Sequence, residues 1–146
     1  MAIKRDAADK WFSACVRERA NWTCEKSGLI DPEGQVNGVS RVLECAHVYG
    51  RRSRNVRWHP FNAFCLSHRW HKYFTENPIE FQRFVLEKLG ELKHELLRER
   101  FHDLSIKYSP TERKKEIPAH YRKEYNKMRE VRKCGVEGRI EFLGYD

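Results

Sequence analysis

The sequence predicts an α+β protein: a short strand–loop–strand–helix core, one helix before it and a mostly helical extension after it. Two observations carry that prediction. Apolar residues recur at helical spacing over 7–20 and again from 78 to 96, while 42–47 alternate in the two-residue period of a strand. Pro, Gly, Asn and Asp punctuate the chain between these stretches in the way turns and helix starts require. At 146 residues one compact domain is expected. Within it, 1–21 reads as a packing helix, 22–78 as the functional core and 79–146 as the helical extension.

Taken in order, Ala8, Trp11, Phe12, Cys15 and Val16 form one helical stripe with charges opposite, and Asp6 is the expected N-cap. This helix reads as packing, with no chemistry assigned to it. Asp31-Pro32-Glu33-Gly34 and Asn37-Gly38 are turn signals, predicting a hairpin-like excursion. A strand should follow and end near His47, with a second around Ala63-Phe64-Cys65-Leu66. Ser67 is placed to cap a helix over SHRWHKYFTE. Asn77, Pro78 and Glu80 supply the N-cap, first-turn proline and capping-box glutamate of another. That helix carries Phe81, Phe84, Val85, Leu89, Leu92 and Leu96, with Gly90 as a potential break. Ser109-Pro110-Thr111-Glu112 repeats the start signal. Pro118 opens a last helix ended by Gly135, and RIEFLGY is expected to form a closing strand.

Composition narrows the function. Twenty-nine basic against 21 acidic side chains leave a formal charge of +8, a surface that attracts polyanions such as nucleic acid. No apolar run approaches the roughly 20 residues of a membrane span, and MAIKRDAADK lacks a signal peptide's apolar segment. No membrane partner is expected. Five cysteines without regular spacing give no disulfide framework, which makes a reducing cytosol the expected compartment.

The chemistry concentrates between Glu44 and Pro78. His47 is followed after fifteen residues by Asn62 and after nine more by His71, with Arg51, Arg52, Arg54 and Arg57 on the intervening loop. Hydrolysis of a phosphodiester needs an activated water, a counter-charge for the transition state and help for the leaving oxygen. A histidine of near-neutral pKa supplies the first, and one divalent ion the other two. Arginine forks suit phosphate oxygens. Any one of these residues is a weak signal, but the ordered triple with its basic loop is a strong one. Of the four arginines, Arg57 is the one expected to be held in place, beside a core Trp58.

AHVYGRR, RWHPFN, CLSHRWHKYF and ENP, together with the nine-residue gap from Asn62 to His71, resemble the HNH (ββα-metal, His-Me finger) endonucleases, in the branch common in phages. The resemblance covers roughly residues 22 to 80. It implies His47 as general base and His71 as metal ligand, with Asn62 fixing the loop or approaching the metal. It also implies one Mg²⁺ or Mn²⁺ and DNA as substrate. Ala46 stands where the family often has a further ligand, so His59 and Glu44 become additional candidates for the metal. Where many relatives carry a four-cysteine zinc knuckle, this chain has Cys24, Ser27, Ser67 and Trp70. Serine and tryptophan are not useful zinc ligands, so no structural zinc is expected, and Trp70 should fill the space with apolar bulk. An improvised site from Cys24, Cys45, Cys65 and His68 is the less favoured alternative.

The C-terminal stretch, from LEKLGELKHELL to AHYRKEYNKM, resembles the tail of the lambda NinG (Rap) recombination proteins. That implies cleavage of branched DNA of the Holliday-junction type, in a bacterial host cytosol and as a homodimer. Arg122, Lys123, Lys127, Arg129, Arg132 and Lys133 on the last helix offer a second basic face. Two rival readings belong to other classes. One is a DNA-binding module that kept the fold and lost catalysis, supported by Ala46 and the altered knuckle. The other is a zinc-held regulatory domain acting through protein contacts.

Overall fold

The structure, a computed structural model, describes residues 3–146. Helix α1 (Ala7–Arg19) starts at Asp6, whose carboxylate accepts the Asp9 amide at 2.9 Å while the Asp9 carboxylate accepts the Asp6 amide at 3.0 Å. This reciprocal capping satisfies two of the amides a helix start leaves free. Ala8, Phe12, Cys15 and Val16 of the predicted stripe are fully buried. Trp11 lies at the margin, 5.8 Å from the Tyr125 ring.

The expected hairpin-like excursion is corrected in part. Thr23 and Ile30 form a single antiparallel bridge, but Asp31 caps a short helix, α2 (Pro32–Asn37), instead of a turn. The signal is shared by both outcomes: Asp before Pro caps a helix as readily as it starts a turn. Gly34 lies against Trp22 so closely that a Cβ would overlap the indole, and Gly38 ends the helix with φ 72°.

Strand β1 (Leu43–His47) pairs antiparallel with β2 (Ala63–Ser67), with Cys45 opposite Cys65 and His47 opposite Ala63. Between them the chain makes a one-turn helix, α3 (Arg54–Arg57), and a 3₁₀ turn at Pro60–Asn62. All five residues of β2 are buried, so β2 is the more deeply buried strand of this two-stranded sheet. Ser67 caps α4 (His68–Glu76), its Oγ accepting the Trp70 amide, as the sequence predicted.

Helix α5 (Pro78–His102) begins at Asn77 with Pro78 in its first turn, but the predicted capping box does not form. Asn77 Nδ2 instead donates to the Tyr73 carbonyl, and Glu80 accepts the Tyr73 hydroxyl. The break at Gly90 is real, with φ 79° and ψ 165° inside an otherwise helical run. It turns the stripe out of phase: Phe84 and Val85 are buried before it and Leu97 after it, whereas Leu92 is 73% exposed. The repeated start signal does close, as Ser109 and Glu112 exchange backbone-to-side-chain bonds of 3.0 and 3.1 Å. A π-helical turn (Glu112–Glu116) then leads into α6 (Ile117–Lys133).

The expected closing strand is also corrected. Among the described residues, 139–145 belong to no helix or sheet. Their amides find other acceptors: Ile140 donates to the Arg19 carbonyl, Leu143 to the Glu124 carboxylate and Tyr145 to the Tyr121 hydroxyl. Phe142 enters the core edge-on to Phe12 and Tyr121. One apolar core joins α1, both strands, α4, α5, α6 and this tail. Buried ion pairs brace it, with Glu18 of α1 accepting from Arg129 and Trp22. Among the described residues no helix is long and apolar enough to cross a membrane.

Candidate functional site

His47 ends β1, and its Nε2 lies 3.2 Å from the Arg57 carbonyl. A carbonyl only accepts, so Nε2 carries the proton and Nδ1 is the nitrogen with the free lone pair. Burial is the leading influence on this ring and pushes its pKa down to about 4, against an opposing effect of the Arg57 hydrogen bond. His47 is therefore neutral at pH 7, the form a proton acceptor needs.

Three residues back on the same strand, Glu44 meets α4. Its Oε1 lies 2.8 Å from His71 Nδ1 and its Oε2 3.2 Å from His68 Nδ1. Partial burial acts to raise the Glu44 carboxyl, but the two imidazoles outweigh it and hold it below its usual range. The i, i+3 spacing of His68 and His71 on α4 is what brings both rings to one carboxylate.

His47, Glu44 and His71 line one cleft of about 630 Å³, floored by β1 and walled by α1. Four arginines line it too: Arg5, Arg17, Arg41 and Arg51. Only Arg51 comes from the loop the sequence singled out. Arg5 donates to Ser13 Oγ at 2.9 Å, and the Arg17 guanidinium rests over the Trp22 ring at 5.5 Å. Helix α1, read as packing alone, thus also lines the cleft, through Asp9, Ser13 and Arg17, with Arg5 just before it. The only available signal was Arg17 on the polar side of the apolar stripe, which is the pattern of any solvated helix face.

The other predicted residues part company with the cleft. Asn62 is fully buried, its Oδ1 accepting the Tyr49 amide at 2.8 Å and its Nδ2 donating to the Tyr49 carbonyl at 2.9 Å. These two bonds tie Asn62 to the loop that follows His47. Both polar atoms of the side chain are engaged by backbone. His59 Nδ1 caps the 3₁₀ turn by accepting the Phe61 amide, and His59 does not line the cleft. Arg57 is turned inward. It is 5% exposed and grips Asp9 with two nitrogens. Arg52 and Arg54 are exposed and line a separate groove with His102 and Lys107.

At the Cys24, Ser27, Ser67 and Trp70 positions the contacts are hydrogen bonds and ring packing. Cys24 Sγ accepts the Ser27 amide at 3.4 Å and lies 3.7 Å from Ser67 Oγ, while Trp70 packs 5.6 Å from Phe74 under the Lys26 ammonium. Cys45 and Cys65 instead pair across the sheet. On the last helix, Arg129 and Arg132 are drawn into the Glu18 pairing, whereas Arg122, Lys123 and Lys127 border a groove beside Trp11.

Among the described residues no group of three or more His, Cys, Asp or Glu side chains is gathered as a metal cage. The donors at the cleft are His71, with Nε2 left for a ligand, and Glu44 behind its Nδ1. An imidazole backed by a carboxylate is a common outer-shell arrangement around a metal. With few protein donors, the set fits an ion that keeps most of its coordination for water and phosphate oxygens, as Mg²⁺ does. Compared with protein-family models, with curated proteins and with solved structures, the chain matches none of them.

Proposed function

We propose that this chain is a metal-dependent endonuclease of the ββα-metal (HNH) type, cutting phosphodiester bonds of DNA. The observation that carries the reading is that His47, Glu44 and His71 share a cleft walled by four arginines. The order strand–loop–strand–helix, with the base on the first strand and the metal-binding histidine on the helix, supports the family resemblance of residues 22 to 80.

His47 takes a proton from water at Nδ1, while Nε2 stays bonded to the Arg57 carbonyl. A phosphodiester in the cleft places negative charge near the ring and raises its pKa from about 4 toward the working range. Arg5, Arg17, Arg41 and Arg51 bind and orient the backbone, which carries no sequence information by itself. His71 would hold the ion through Nε2, its ring fixed by Glu44. When bound, Mg²⁺ or Mn²⁺ supplies Lewis-acid charge for the scissile phosphate and the leaving 3′ oxygen. Asn62 keeps the loop that follows His47 in place. Arg52 and Arg54, on their separate groove, extend the basic surface to a further stretch of duplex or to the arm of a branched substrate.

The rival reading, a DNA-binding module without catalysis, is favoured by the sparse donor set at His71 and Glu44. One experiment separates the two. Purified protein is incubated with supercoiled plasmid and with a synthetic four-way junction, with and without Mg²⁺ or Mn²⁺, beside a His47→Ala variant. Metal-dependent cutting that vanishes in the variant is the expected result. DNA binding without cutting under all conditions favours the rival, and equal cutting by His47→Ala removes His47 as the base.

A further inference from the structure

We propose that Asp9, on α1, is a positioning residue for His47: it fixes the Arg57 segment whose carbonyl holds the imidazole in one tautomer. The consequence for catalysis rests on the nuclease reading, whereas the effect on the ring does not.

Asp9 is 2% exposed, and both of its oxygens are used. Oδ1 accepts from Arg57 Nε at 3.0 Å and from Trp58 Nε1 at 3.1 Å. Oδ2 accepts from Arg57 Nη2 at 2.5 Å and from the Asp6 amide at 3.0 Å. Two adjacent side chains of the loop are thus clamped by one carboxylate on a helix that is itself capped by the same group. From the other side, the Tyr121 hydroxyl donates to the Trp58 carbonyl, and Arg57 Nη2 reaches the Lys4 carbonyl at 3.2 Å.

The Arg57 carbonyl between these anchors is the acceptor for His47 Nε2. A bidentate arginine–carboxylate pair fixes direction as well as distance, so the carbonyl is aimed and not merely nearby. Asp9 also lies 3.8 Å from Arg51 Nη1, at the cleft wall. Burial alone would raise the Asp9 carboxyl, but Arg57 and the Asp6 amide more than reverse it, so the clamp is charged at neutral pH. If Asp9 served the fold alone, its loss would loosen the protein without changing which nitrogen of His47 carries the proton.

The test reads that nitrogen directly. Full-length protein labelled with ¹⁵N, free of metal and DNA, is compared with Asp9→Asn by long-range ¹⁵N–¹H spectra of the His47 ring, and both are assayed on plasmid with Mg²⁺. The expected wild-type spectrum has one protonated nitrogen, Nε2, and one bare nitrogen, Nδ1. In the folded variant the two shifts should move toward each other as tautomers exchange. Plasmid kcat should fall on the order of 10²-fold while KM changes little, because misaiming a reacting group is felt in the chemical step.

Asp9→Glu keeps the charge but displaces the clamp by one methylene, and serves if Asp9→Asn does not fold; it should show the same averaging to a smaller degree. A single unchanged tautomer in either folded variant overturns the proposal. Absence of cutting by wild-type protein would instead overturn the nuclease reading, leaving the spectral result to decide Asp9 on its own.

Discussion

Asn62 and Tyr49 exchange two hydrogen bonds, the amide side chain of one meeting both backbone groups of the other at 2.8 and 2.9 Å. The β1–β2 ladder ends at His47 opposite Ala63, and Val48 adds one bond to the Asn62 carbonyl. Asn62 therefore continues the ladder with its side chain where the strands diverge, and holds the loop that leaves His47.

Replacing Asn62 by Ala leaves the Tyr49 amide and carbonyl without these partners and should lower stability by about 2–4 kcal/mol. Urea unfolding midpoints measure it. The Mg²⁺ concentration for half-maximal cutting should stay the same in whatever fraction remains folded. A variant with wild-type stability and weakened metal dependence would return Asn62 to the metal.

The arginines of the loop and of the cleft should divide by experiment as they divide in space. Arg57→Ala strands the Asp9 carboxylate in the interior and should destabilise by about 3–5 kcal/mol, the usual result of breaking one side of a buried pair. Arg41→Ala should shift stability by no more than about 0.5 kcal/mol, and Arg51→Ala, removing a guanidinium that faces Asp9 only at 3.8 Å, by less than Arg57→Ala. Arg41→Ala and Arg51→Ala should each weaken DNA binding and reduce the slope of log K against log salt by about one phosphate contact. Fluorescence anisotropy over a salt series, beside thermal melts, separates the two classes.

The sequence made the site's backbone legible and its electrostatics much less so. The strand limits, the Ser67 cap and the Gly90 break all follow from local chemistry, in which a residue acts on its own few neighbours. Arg57 and Arg51 are six positions apart on one basic loop, yet Asp9, 48 residues away from Arg57, decides that one is structural. No local pattern encodes that pairing. The misread segments have the same origin. RIEFLGY has strand character, but what it meets is the carboxylate of Glu124 and the hydroxyl of Tyr121, not a free strand edge. Asp31-Pro32 serves turns and helix starts equally, and contact of Gly34 with Trp22 accompanies the helix.

Acid should destabilise the fold through its neutral histidines. Burial comes first for both His47 and His59 and lowers each to about 4 from the ordinary 6.5. The unfolded chain then binds more protons than the native one between those values. Stability is fully present above pH 6.5 and is lost as pH falls toward 4. His59→Asn retains a side-chain acceptor for the Phe61 amide and removes one titrating group. Urea midpoints at pH 7, 5.5 and 4.5 should fall steadily in the wild type and less steeply in the variant. Parallel curves would mean His59 titrates normally.

Glu44 offers the sharpest question about the metal, because its oxygens already have partners in His71 and His68. A carboxylate behind a ligating imidazole fixes its tautomer and strengthens its basicity, and removing such a partner typically weakens metal binding about 10–100-fold. Glu44→Gln keeps an acceptor without the charge. The Mg²⁺ or Mn²⁺ concentration for half-maximal cutting should therefore rise by about that factor, with the rate at saturating metal nearly restored. DNA affinity in the absence of metal should not fall, since the cleft arginines are untouched. A rate that stays low at saturating metal would make Glu44 a direct ligand, with its bond to His71 broken when the ion enters. An unchanged metal requirement would move the ion away from His71 altogether.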